Sequence, residues 1–181
     1  MPTEDEIKRV SGAVVYRNRW MSVREDRIVR ADGALGIYGV VEKRDFVIVA
    51  AVQDGRIWLV EQYRYPVGAR YWEMPQGAHE DRATDPLELA AAELREETGL
   101  RAGRIVNAGR LFPAYGFASQ SCAVFLATEL VEGECQRDAE ELGMVARSFA
   151  LSEFEAMIAD GTIADAVTVA AFGLLRLKGL I

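Results

Sequence analysis

The chain has 181 residues, half of them hydrophobic, and 28 acidic against 21 basic side chains leave a formal charge of −7. That length suits one domain with a sizeable core, and the acidic balance argues against nucleic acid or anionic membranes as partners, since both are held by basic surface. The acidic start Met1-Pro2-Thr3-Glu4-Asp5-Glu6 lacks the apolar stretch of a secretory signal, and the longest uncharged apolar run, Ala166 to Leu175, is too short to cross a bilayer, so a cytoplasmic protein is expected.

Strand signals open the chain at Val10 to Tyr16, Trp20 to Arg30, Leu35 to Glu42, Phe46 to Val52 and Arg56 to Gln62. The last two are joined by Asp54-Gly55, a type I′ hairpin signal. Trp72-Glu73-Met74-Pro75-Gln76-Gly77 ends a further strand-like stretch, and Gly77 opens a polar loop. A helix follows, with Asp85 as N-cap, Pro86 at the first helical position, Glu88 as capping-box partner and Gly99 as left-handed C-cap. Beyond it lie strands near Arg104 to Arg110, Ser121 to Leu130 and Met144 to Ala150. Ser152 with Glu155 predicts a capping box for a short helix, and a second helix runs from about Asp165 to Lys178. Strands with interspersed helices predict an α/β or α+β sandwich. Two cysteines, Cys122 and Cys135, make no disulfide framework and are expected as thiols.

The helix between Asp85 and Gly99 carries Glu93, Glu96 and Glu97. At about 100° per residue, with Glu93 at zero, Glu97 falls near 40° and Glu96 near 300°, so the three acids share one face. Neighbours roughly 5–6 Å apart would repel by about 3 kcal/mol per pair at an effective dielectric near 20. A solvated acidic face and a hard divalent cation with oxygen ligands both answer that repulsion. Ala90, Leu94, Leu87 and Ala91 span about 60° to 160°, which predicts an apolar stripe beside the acids.

The run Glu93-Leu94-Arg95-Glu96-Glu97-Thr98-Gly99-Leu100 resembles the second half of the signature of the Nudix hydrolases. In the first half Ala92 stands in place of the signature arginine, Thr84 in place of its first glutamate, and Gly77 lies one residue too far upstream. From about Val10 to Lys178 the layout is similar to the ADP-ribose pyrophosphatase branch. The matching stretches are Asn18 to Val23, Val60-Glu61-Gln62-Tyr63-Arg64-Tyr65-Pro66-Val67, Trp72 to Gly77, and Gly161 to Ala166. The resemblance implies a Nudix α/β/α sandwich over residues 46–181, with a small antiparallel β-module over residues 1–45. That module is commonly exchanged across a homodimer in the branch.

It further implies metal-dependent hydrolysis, with Mg²⁺ or Mn²⁺, of a small-molecule nucleotide substrate: the pyrophosphate bond of ADP-ribose or another nucleotide sugar. Glu93, Glu96 and Glu97 with the backbone carbonyl of Gln76 would be metal ligands, and Arg64 would hold the diphosphate. Glu141, with Glu140 as its rival, would be the general base. Trp20 would stack on a nucleobase or pack within the module. Tyr115 takes the place of a proline usual in that loop, where it would stack on a base or narrow the pocket, and Gln120 stands where an acid is common. His79, the sole histidine, reads as an exposed loop residue or as a contact to metal or phosphate. The departures at Thr84 and Ala92 leave a nucleotide-sugar-binding protein without turnover as the alternative.

Overall fold

A computed structural model describes residues 6–78, 85–133 and 143–181. The chain divides into two compact units, one formed by Met1–Asp45 with Phe112–Ser121 and the other by Phe46–Leu111 with Cys122–Ile181.

The first unit is a three-stranded antiparallel sheet of β1 (Lys8–Arg17), β2 (Ser22–Val29) and β3 (Leu35–Glu42) in that order. Asp26 is buried between the guanidinium groups of Arg9 and Arg24, each with Nε at 2.9 Å from its Oδ1, so the buried charge is matched on both sides. The second strand starts at Ser22 rather than at Trp20. Asn18 Oδ1 accepts from the amides of Trp20 (2.9 Å) and Met21 (2.8 Å), and this side-chain turn keeps both residues off the ladder. The Phe112–Ser121 segment is tied to β3: Phe117 O accepts from Val41 N, Val41 O from Ser119 N, and Gly116 O from the Tyr38 hydroxyl at 2.7 Å.

The second unit is built on a sheet with the order β10-β5-β4-β9-β8, comprising β4 (Phe46–Gln53), β5 (Arg56–Arg64), β8 (Leu100–Leu111), β9 (Cys122–Glu132) and β10 (Val145–Ala150). Among the described residues of this sheet, only β4 and β9 run parallel. The run Val47 to Ala51 is buried throughout because successive side chains enter opposite faces of a doubly covered strand. Val47, Val49 and Ala51 pack with Leu89, Ala90 and Leu94 of α1 (Pro86–Thr98) on one side. Ile48 and Ala50 pack on the other with Phe154 of α2 (Leu151–Ala159) and Val167, Ala171 and Leu175 of α3 (Ala166–Leu177). This is an α/β/α sandwich.

The β4–β5 hairpin turns at Asp54 and Gly55, whose φ of 51° and 71° are both positive, as a type I′ turn requires. The two strands stay paired only from Ala51↔Trp58 to Gln53↔Arg56. They then part, and two short strands fill the opening: β6 (Ala69–Glu73) pairs with β5, and β7 (Gln76–Gly77) with β4. The chain thus crosses from one parted strand to the other through Met74 and Pro75.

The helix start expected at Ser152 differs in the structure. The α2 helix begins at Leu151 with Ala150 at the N-cap and no side-chain cap, because the Leu151 amide donates to Gly55 O at 3.0 Å. Glu155, expected in a capping box, pairs instead with Arg176 of α3 at 2.5 Å.

Candidate active site

Helix α1 starts where its local chemistry dictates. Asp85 Oδ1 accepts from Leu87 N (2.9 Å) and Glu88 N (3.3 Å), Pro86 takes the first position, and Gly99 ends the helix at φ 77° with its amide on Arg95 O. Its buried residues are Leu89, Ala90, Glu93, Leu94 and Glu97. On the angular scale used above these span about 320° to 100°, with Glu93 and Glu97 in the middle. The apolar stripe is therefore displaced from its expected place: Leu87 and Ala91 are exposed, and the two glutamates are not beside the packed face but within it. Apolar residues alone do not define the packed face, because the helix is seated by both its apolar and its acidic residues. Glu96 lies at the edge of this arc, half-buried, with Arg95 Nη2 at 3.3 Å from its Oε1.

The segment Glu73–Gly77 faces these acids and is held from several sides. Glu97 Oε2 accepts from the Gln76 amide at 3.0 Å. Gly77 lies so close to Glu93 that a Cβ there would overlap its carboxylate. Pro75 O accepts from Val49 N at 2.9 Å, and the Met74 amide donates to Thr168 Oγ1 at 3.0 Å. Glu73 is buried and accepts from Gln62 Nε2 at 2.7 Å and from Arg64 Nε at 3.1 Å, with Arg64 Nη2 in close contact as well. Burial pushes the Glu73 carboxyl above its ordinary range, and the hydrogen bond and charge of Arg64 pull against that shift.

Of the site residues expected from sequence, the second unit thus brings together Glu93, Glu97 and Gln76, with Glu96 at the margin of the same helix face. Arg64 is on the end of β5, two-fifths exposed and engaged with Glu73. Trp20 and Tyr115 belong to the first unit. Trp20 is half-exposed under the Arg19 guanidinium, 4.2 Å from the ring centroid, and Tyr115 is exposed. Gln120 in the same unit donates through Nε2 to Arg44 O. His79, Thr84, Cys135, Glu140 and Glu141 lie outside the described residues. Cys122 is buried in β9. Glu73 and Thr168 escaped the sequence reading. Glu73 sits inside the Trp72–Gly77 stretch that carried the resemblance, but a threonine in an apolar helix gives no signal.

The donor set suits a hard divalent cation. Two buried carboxylates, a third at their edge and the backbone of Gln76–Gly77 offer only oxygen ligands, and the glycine leaves room that a side chain would fill. Among the described residues no three His, Cys, Asp or Glu side chains converge closely enough to hold a metal ion by themselves.

Residues 7–41 match the nucleoside diphosphate sugar hydrolase N-terminal domain, and residues 42–172 match the NUDIX domain. An ADP-ribose pyrophosphatase of Mycobacterium tuberculosis is 31% identical over 169 residues, covering 92% of this chain and 82% of that protein. One from Bacillus subtilis is 28% identical over 175 residues, covering 96% and 94%. A crystal structure of an ADP compounds hydrolase shares the fold with a TM-score of 0.85 at 20% identity, over 99% of this chain and 98% of that one. The chain belongs to the Nudix hydrolases, in their ADP-ribose pyrophosphatase-like branch. It is a pyrophosphohydrolase of the class that generally works with divalent metal ions. No helix among the described residues is long and apolar enough to cross a membrane.

Proposed function

We propose that the protein hydrolyses ADP-ribose or a related nucleotide sugar with Mg²⁺ or Mn²⁺. Water adds to one phosphorus of the pyrophosphate and the bridging oxygen leaves with the other, giving a nucleoside monophosphate and a sugar phosphate. The observation that carries this reading is the burial of Glu93 and Glu97 against the Gln76–Gly77 backbone. Glu93 and Glu97, with support from Glu96 and the Gln76 carbonyl, would hold the metal, which would supply charge neutralisation at the diphosphate. Arg64 retains guanidinium donors beyond those that reach Glu73 and positions the diphosphate. Glu141 orients or deprotonates the attacking water. Trp20 and Tyr115 contribute to the nucleotide end, so their alanine variants raise KM more than they lower kcat.

A panel of nucleotide sugars, assayed with each metal and with EDTA, tests the reading. AMP appears from ADP-ribose only when metal is present. An absence of product across the whole panel sinks the proposal, and tight calorimetric binding without product would favour the non-catalytic alternative that Ala92 suggests.

The active form in this reading is a homodimer assembled through the β-module. Every residue of β1 is exposed, including Val10, Val14, Val15 and Tyr16, and so are Leu35 and Ile37 on β3. Exposed apolar residues grouped on one small sheet are the mark of an interaction surface. Sedimentation equilibrium should return twice the 20.0 kDa chain mass. A species of one chain mass at micromolar concentration would rule the assembly out.

A further inference from the structure

The crossing at Met74 and Pro75 creates a problem that ordinary sheet pairing does not solve. Glu73 is the last residue laddered to β5 and Gln76 the first laddered to β4. The Met74 amide between them is buried and has no strand neighbour in the register. A buried amide without an acceptor is costly, so something outside the sheet must receive it. The acceptor is Thr168 Oγ1, 3.0 Å away on the first turn of α3, where the side chain is fully buried.

The threonine is itself held in one orientation. Its hydroxyl donates to Asp165 Oδ2 at 2.7 Å, and its amide donates to the same oxygen at 2.8 Å. Asp165 is the N-cap of α3, so the oxygen that caps the helix also holds the hydroxyl proton away from Met74. The Thr168 lone pair is left facing the Met74 amide. Two residues further on, the Gln76 amide donates to Glu97, and Gly77 abuts Glu93. The N-terminus of α3 is thereby linked through one hydroxyl to the backbone against which both buried glutamates rest.

We propose that Thr168 is a positioning residue for the active site. Oriented by Asp165, it pins Met74 and so sets where the Gln76–Gly77 backbone stands relative to Glu93 and Glu97. The inference rests on the assignment of those acids to the metal.

Thr168→Val keeps the shape of the side chain and removes the hydroxyl, whereas Thr168→Ser keeps the hydroxyl. Hydrogen exchange on the metal-free protein should show faster exchange of the Met74 amide in Thr168→Val, by about five-fold, the size of one net hydrogen bond. Mn²⁺ affinity read by electron paramagnetic resonance without substrate should weaken by a similar factor, and kcat should fall while KM stays within about two-fold. Thr168→Ser should return all three towards the parent. Parental exchange and Mn²⁺ affinity in Thr168→Val overturn the proposal, and so does a serine variant that behaves like the valine one. If Thr168→Val does not fold, Asp165→Asn takes its place, since it keeps a cap acceptor and weakens the hold on the hydroxyl. Parental values there are equally fatal. The exchange and Mn²⁺ measurements involve no substrate, so failure of the ADP-ribose assignment alone would leave them standing.

Discussion

Glu97→Gln should lower kcat by about 10²–10³-fold, the equivalent of about 3–4 kcal/mol of transition-state stabilisation, with a native-like fold. The substitution is nearly isosteric, and the amide oxygen can still accept from the Gln76 N–H that Glu97 Oε2 receives at 3.0 Å. What it removes is one negative charge from a buried arc shared with Glu93. Without metal, loss of that charge relieves repulsion, so the variant should melt no more than a few degrees below the parent. With metal the two should separate. A cation bound only by the folded state at about a thousand times its Kd stabilises by about 4 kcal/mol, and the parent should gain a shift of that kind that the variant largely loses. A variant with parental turnover would show that Glu97 is no ligand, and a parent whose melting ignores metal would return the helix to a purely structural role.

The places where sequence reading succeeded share a physical cause. Asp85, Pro86 and Gly99 fix the ends of α1, and Asp54-Gly55 fixes the hairpin, because each acts within a few bonds of its own backbone. The acid triad was legible for the same reason, since spacing alone puts Glu93, Glu96 and Glu97 on one face. What local pattern could not supply was the depth of that face. Glu93 and Glu97 are buried because β4 and β5 part and the Glu73–Gly77 segment closes over the opening, an event set by the pairing of β6 with β5 and of β7 with β4 and not by the sequence of the helix itself. Thr168 was invisible for a related reason: its partner Met74 lies 94 residues away. The capping box drawn at Ser152 failed in the opposite sense. Its local chemistry was adequate, but Gly55 O and Arg176 offered tertiary partners that Ser152 and Glu155 could not have signalled.

Gly77→Ala isolates the geometry of the site from its charge. An added Cβ would overlap the Glu93 carboxylate, so one of the two must yield. The backbone is the stiffer partner: β7 is laddered to Val47 and Ile48, Pro75 O is held by Val49 N, and the Gln76 amide is held by Glu97. The carboxylate therefore moves, by about an ångström if ordinary contact is to be restored, and a displacement of that size at a reacting centre costs about 10² in rate. Stability should fall far less, by about 1–2 kcal/mol, because the intruding methyl meets the end of a side chain and not another backbone. Gly173→Ala is the matched control. A Cβ at Gly173 meets nothing within 4 Å in the middle of α3, and alanine there should raise helix stability by about 0.5–1 kcal/mol with kcat unchanged. The pair separates two explanations that a single variant would confuse. If Gly77→Ala loses rate and stability in proportion, the glycine serves folding. If the rate collapses while the melting temperature moves by only a few degrees, the position of the Glu93 carboxylate is what the glycine protects. A fully active Gly77→Ala would show that Glu93 can leave its place without consequence, and would remove it from the metal-binding set.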